Sequence, residues 1–353
     1  MTHFFRSSVV LAGLLLLVPS HDAPAAPGPD LPPAPTDTAP PTPPADHHVH
    51  VWSPEARDML VRAQEALGQE VIPEEQARPL SGEDVIAGLD SAGVDRGVLL
   101  SAAYFFGLPD VEVEDERARV RAENDYVAGL VADHPDRLVA FFSVNPLADY
   151  ALEEIDRLAD RDAFVGLKLH LGNSHVDLRD ADRLERLREV FARASQHGLA
   201  VVVHLGGRGE DFGAPDAEAF LDEVLPAAAD VPVQVAHVAG PGGLGPGTRA
   251  SARAFAAALE DHPERTKNLL FDLSGVPAPT YLAKGDTALV RRIEKLNRAF
   301  VETVRLLGTD RVVYGTDWPA VSMGRYLEGL RRDLPLSDEE FLDLVDDRAP
   351  YLR

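Results

Sequence analysis

The sequence predicts a (β/α)8 barrel on three observations. Apolar β-type runs recur eight times between residues 46 and 318, amphipathic stretches alternate with them, and polar residues cluster at the C-terminal ends of those runs. Strands alternating with helices indicate parallel pairing, and eight such units fit residues 46–353 with room for insertions. A doubly wound sheet is the alternative. It calls for a glycine-rich turn after the first strand, and DHHVHVWSPE has no glycine there.

The first 45 residues lie outside this pattern. A single positive charge at Arg6 precedes an apolar run from Val9 to Val18, too short to span a bilayer but suited to a signal-peptide core. Ala23 and Ala25 form a small-residue cleavage site. Residues 1–25 therefore read as a signal peptide, with an exported mature chain and no stable membrane anchor after cleavage. Ten of the 21 residues from Pro24 to Pro44 are proline, which makes 26–45 an extended, disordered linker. The folded domain is expected over 46–353.

The expected strands begin near Asp46 (DHHVHVW), Arg96 (RGVLLSAA), Leu138 (LVAFFSVNP), Phe164 (FVGLKLHL), Ala200 (AVVVHLG), Val231 (VPVQVAHV), Asn268 (NLLFDLSGV) and Arg311 (RVVYGTDWP). Helical stretches such as DADRLERLREVFARASQHG separate them. Residues 53–94 form an insertion longer than a minimal crossover. Gly240–Arg249 is a glycine-rich stretch without the lysine and serine of a phosphate loop, and reads as a mobile loop at the barrel mouth.

Composition narrows the chemistry. The chain has 353 residues, 45% of them hydrophobic, enough for a large core. A formal charge of -24 repels phosphate backbones and argues against a nucleic-acid partner. There is no cysteine, so disulfides, thiolate metal sites and cysteine nucleophiles are excluded. Any metal must be held by nitrogen and oxygen ligands.

Candidate residues follow from strand geometry. Alternate residues share a strand face, so His48, His50 and Asp46 point together and His47 points away. Paired imidazoles are poor core filler and good ligands for a divalent ion. Lys168, His170, His204, His237 and Asp317 each follow an apolar run, and in a barrel those strand ends converge on one mouth. Lys168 is one of only four lysines in an arginine-rich chain, and unlike arginine it can lose its proton. His134, His197 and His262 fall at expected helix ends. No G-x-S-x-G elbow occurs, which disfavours a serine hydrolase.

The motifs DHHVH, GLKLH, VVVHLG, VAHVAG and YGTDWP, in this order, resemble the amidohydrolase superfamily, in particular the amidohydrolase-related (amidohydrolase 2) metal-dependent hydrolases. The resemblance implies metal ligation by His48, His50, His204 and Asp317. It also implies that Asp317 serves as proton acceptor, and that His237 orients or polarises substrate or binds a second metal. Lys168 and His170 are candidates for substrate contact or a second metal, and Asp46 lies behind the ligands. It implies a small-molecule substrate and a divalent ion, zinc first, with one ion favoured over two. The expected activity is hydrolysis of an amide, lactone or ester. Nonoxidative decarboxylation of an aromatic or unsaturated acid and metal binding without turnover are the alternatives.

Overall fold

Each of the eight apolar runs becomes a strand of one parallel sheet in the computed structural model, which describes residues 42–66, 80–109, 111–206, 211–345 and 349–352. The strands are β1 (Ala45–Val51), β2 (Arg96–Ser101), β3 (Leu138–Ser143), β4 (Phe164–His170), β5 (Ala200–His204), β6 (Val233–Val235), β7 (Leu269–Asp272) and β8 (Val312–Val313). They neighbour one another in chain order, all parallel. Closure runs through the segment after β8. His47 N donates to Tyr314 O, Asp317 N to His48 O and His50 N to Trp318 O, at 3.0, 3.0 and 2.8 Å.

The expected signal peptide and nearly all of the linker lie outside the described residues. Ala45, counted in the linker, already belongs to β1. No helix among the described residues is long and apolar enough to cross a membrane.

Period-2 alternation divides the strands between two cores. Val98, Leu100, Phe141, Ala200 and Val202 pack inside the barrel. Their neighbours Leu99, Ala140, Phe142, Val201 and Val203 pack outward with the helices. Gly166 allows Phe141 its place, since a Cβ there would lie 2.3 Å from both the Phe141 ring and Ala200 O.

Among its described residues, the insertion at 53–94 carries two helices, α1 (Pro54–Ala66) and α2 (Gly82–Ala92). Ser81 and Asp84 form a reciprocal cap on α2, and Gly93 ends it in the left-handed conformation at φ 67°. The crossovers then supply α3 (Glu116–Asp133), α4 (Ala151–Leu158), α5 (Ala181–Gln196), α6 (Ala214–Ala219), α7 (Pro246–Asp261) and α8 (Thr287–Leu307). Met323–Asp333 (α9) and Asp338–Val345 (α10) follow β8. His134, His197 and His262 are indeed helix C-caps, of α3, α5 and α7. The glycine-rich stretch is shorter than expected, because Pro246 starts α7 inside it.

Candidate metal centre

The sequence-derived residues meet at the C-terminal mouth of the barrel. His50, Lys168, His170, His204, His237 and Asp317 line one pocket there, of about 340 Å³ with its open mouth included. Trp52, Tyr104 and Phe105 form its aromatic wall. His48 lies directly beneath. Its Nε2 is 3.2 Å from His50 Nε2 and 3.5 Å from Asp317 Oδ1, and His50 Nε2 is 3.2 Å from the same oxygen. These three residues form a set of the kind that holds a metal ion. His204 shares the pocket but stands outside that set.

Hydrogen-bond partners fix which ring nitrogens carry protons. His48 Nδ1–H donates to Asp272 Oδ2 at 2.9 Å, so in the neutral ring Nε2 is bare and faces the cluster. His237 Nδ1–H donates to Ser274 O at 2.7 Å, leaving its Nε2 as acceptor. His204 Nδ1 lies 3.1 Å from that nitrogen and donates to it, which frees His204 Nε2 as a ligand. His237, read from sequence as a substrate contact or a second-metal ligand, thus turns one nitrogen to His204. His170 is the opposite case. Its Nδ1 accepts from Asn173 N at 3.2 Å, so its Nε2 carries the proton and is a donor. Strand register explains the crowding. His170 and His204 are paired residues of β4 and β5, and their rings stack at 3.9 Å.

Burial favours the neutral form of His48, His50, His170 and His204. It pushes His48 down to about 4 against the pull of Asp272, lowers His50, and holds His170 and His204 well below the usual range. For Asp272 and Asp317 burial works toward protonation, but His48, His237 and Ser274 outweigh it at Asp272, and His50, His48 and His237 at Asp317, so both stay below the carboxylate range. Burial pulls Lys168 down to about 8. Neutral imidazoles and two carboxylates against one lysine leave a net negative site, the environment a divalent cation requires.

The backbone around the site is unusual. His237, Val238 and Ala239 are three consecutive residues at φ 57°, 46° and 68°, and Asp317 sits at φ 64°. Glycine is required at Gly275 (φ 63°), where a Cβ would lie 3.1 Å from Asp317 Oδ2.

Two sequence expectations change. Strict alternation in β1 fails, because the register shifts between Asp46 and Val49. His47 is buried against Tyr351, at 5.9 Å between ring centroids, and does not turn away from the interior. Asp46 touches neither imidazole of the cluster. It accepts from Thr316 Oγ1 (2.6 Å), Thr316 N (3.0 Å) and His48 N (3.1 Å), which ties β1 to the segment carrying Asp317. Burial raises its carboxyl to about 6.

Sequence reasoning missed Asp272. This buried carboxylate at the end of β7 accepts from His48 Nδ1, Gln234 Nε2, His237 N, Ser274 N and Ser274 Oγ. The signal was a lone charge ending the apolar run NLLFD.

A parallel eight-stranded barrel with a His–His–Asp cluster at the C-terminal mouth defines a class, the (β/α)8 proteins with a metal-centre-type site. The family model described as Amidohydrolase matches residues 45–345, and the chain belongs to that family. Solved structures agree in fold. A 5-carboxyvanillate decarboxylase from Sphingomonas paucimobilis superposes with TM-score 0.57 at 16% identity, covering 86% of this chain and 97% of its own. A 2,6-dihydroxybenzoate decarboxylase bound to 2,6-dihydroxybenzoate gives 0.56 at 15%, covering 86% and 96%. An amidohydrolase from Burkholderia multivorans with bound zinc gives 0.57 at 15%, again covering 86% and 96%. A search of the curated proteins found no match.

Proposed function

We propose that the protein is a hydrolase dependent on one divalent ion, zinc first, acting on the carbonyl group of a small anionic amide, lactone or ester. The observation that carries this reading is the convergence of His48 Nε2, His50 Nε2 and Asp317 Oδ1 within 3.5 Å of one another. His48, His50, His204 and Asp317 would hold the ion. When bound, it supplies Lewis acidity, lowering the pKa of water and polarising a carbonyl oxygen. The chain's own residues do the rest. Asp317, kept ionised by its histidine neighbours, accepts the proton of the attacking water and returns it to the leaving group. His237 orients His204. Lys168 Nζ and His170 Nε2, both buried with no hydrogen-bond partner, hold the anionic group of the substrate. Trp52, Tyr104 and Phe105 favour a flat, unsaturated body.

The same aromatic wall supports a second reading, nonoxidative decarboxylation of an aromatic or unsaturated acid. Two of the proteins similar in fold are decarboxylases of aromatic acids. An arginine opposing the metal would favour that chemistry. None lines the pocket among the described residues, and Lys168 is the cation there.

Metal analysis of the purified domain, coupled to a screen of lactones, amides, esters and aromatic acids, tests both readings. We expect one equivalent of metal per chain, activity abolished by chelation, and turnover of a carbonyl substrate. Release of carbon dioxide from an aromatic acid alone would replace the first reading with the second. Two equivalents, with a carbon dioxide requirement that Lys168→Ala removes, would overturn the single-ion assignment. A metal-replete chain inert toward every class would leave a metal-binding protein without turnover.

A further inference from the structure

The turn Pro350–Leu352 lies at the end of the barrel opposite the metal centre. Leu352 packs inside the sheet with Ala45, Val98, Leu100 and Phe141, and Arg96 Nη1 donates to Leu352 O at 2.9 Å. Tyr351 enters the interior edge-on to Phe141, with ring centroids 5.1 Å apart. Its hydroxyl donates to Gln234 Oε1 at 2.6 Å. Gln234, fully buried in β6, donates from Nε2 to Asp272 Oδ2 at 2.7 Å. The same oxygen receives His48 Nδ1–H at 2.9 Å.

Three short hydrogen bonds therefore join Tyr351 to an imidazole of the candidate centre. The direction of each is determined. A tyrosine hydroxyl facing an amide oxygen donates, the amide NH2 must then face the carboxylate, and the carboxylate accepts from both sides. Hydrogen bonds in such a series polarise one another. Donation by Tyr351 makes Gln234 a stronger donor, and Gln234 competes with His48 for the charge on Oδ2. Asp272 Oδ1 is separately held by His237 N, Ser274 N and Ser274 Oγ, so the carboxylate cannot rotate away from this competition.

We propose that Tyr351 is a positioning residue that acts through Gln234 and Asp272 to limit the electron density Asp272 lends to His48, and so moderates how tightly His48 binds metal. This rests on the metal reading above. Its sign separates it from a merely structural role. Loosening the barrel floor would weaken metal binding, whereas loss of this relay strengthens it, because a carboxylate with fewer donors makes its histidine a better ligand.

The test uses the full chain labelled with 15N-histidine, as parent, Tyr351→Phe and Gln234→Met. Tyr351→Phe keeps the ring and removes only the hydroxyl. In the metal-free protein the His48 Nδ1–H resonance, assigned by its loss in His48→Gln, is expected to move downfield in Tyr351→Phe. It should move further in Gln234→Met. Zinc affinity, measured by chelator competition, is expected to tighten about threefold and about tenfold respectively, at the low end of effects from partners of metal ligands. An unmoved resonance in Tyr351→Phe overturns the relay, whatever Gln234→Met does. So does a moved resonance with unchanged or weakened zinc affinity. A moved resonance in a parent that binds no zinc upholds the relay and overturns the metal reading instead.

Discussion

The two halves of the barrel mouth treat their polar atoms in opposite ways. On the side of β1, β7 and the segment after β8, the buried carboxylates Asp272 and Asp46 and the Nδ1 of His48 are answered, and the hydroxyl of Tyr314 is the exception among the described residues. Asp272 collects five donors, Asp46 three, and His48 Nδ1 has its carboxylate. On the side of β4, Lys168 Nζ, His170 Nε2, both side-chain polar atoms of Asn173 and Ser174 Oγ are buried without a hydrogen bond. A buried polar group left unpaired costs about 1–3 kcal/mol, and a charged one more. The first half is built to hold its ligand atoms still. The second bears an unfavourable cost that a bound anion would relieve. On the proposed reading, the ion would sit on one side of the mouth and the substrate's charged group on the other.

Three substitutions, one of them read in two ways, can break or sharpen that contrast. Asp317→Asn removes the proposed proton acceptor and should lower turnover of an identified substrate at least about a hundredfold, with part of the metal retained. Normal turnover would take Asp317 out of the chemistry. Asp272→Asn keeps the shape but loses the charge that five donors, His48 among them, rely on. Metal affinity by chelator competition should fall about 10–100-fold, and an unchanged affinity would show that the answered half is not what holds the ion. Lys168→Met should raise KM for an anionic substrate about tenfold, the scale of one charge-assisted contact, with metal content unchanged. If metal is lost instead, Lys168 belongs to the ligand shell.

The smallest effect is on stability. The folded pKa of Lys168, about 8, lies below its ordinary 10.5 because burial penalises the ammonium. Between those values the unfolded chain binds more protons than the folded one, so stability rises with pH across that window and is depressed below it. Metal-free Lys168→Met should therefore be more stable than the parent at pH 7, by about 1–2 kcal/mol, and should lack the rise. Denaturant titrations at pH 7 and pH 10 measure both. A parent curve flat between them would mean the lysine is solvated.

What could be read from the residues, and what could not, follows the range of the interactions. All eight strands were legible, because alternation and flanking turns are local signals. His48, His50 and Asp317 were legible because HVH and YGTD place polar residues where apolar runs end. The irregularity in β1 was not, and it put His47 inside. Asp272 looks like a turn residue beside Ser274 until β1 is placed against it, and its partner His48 is 224 positions away. Gln234 reads as a lone polar residue in VPVQVAHV. The role of His170 stayed open between ligand and substrate contact, since only the backbone amide of Asn173 decides which nitrogen is protonated.

The run of left-handed residues at His237, Val238 and Ala239 has a bearing on how this mouth could change over generations of selection. Its backbone is held by Val238 N to Asp272 O (2.9 Å), Ala239 N to Ala236 O (3.1 Å) and Gly240 N to His237 O (3.1 Å). A β-branched valine in such a conformation is strained, by about 1–3 kcal/mol. Glycine or asparagine would lie there more easily. A library randomised at 238 and 239 and sorted for thermal survival should thus enrich those two residues, while one sorted for turnover should show how much of the native pair is kept for the placement of His237.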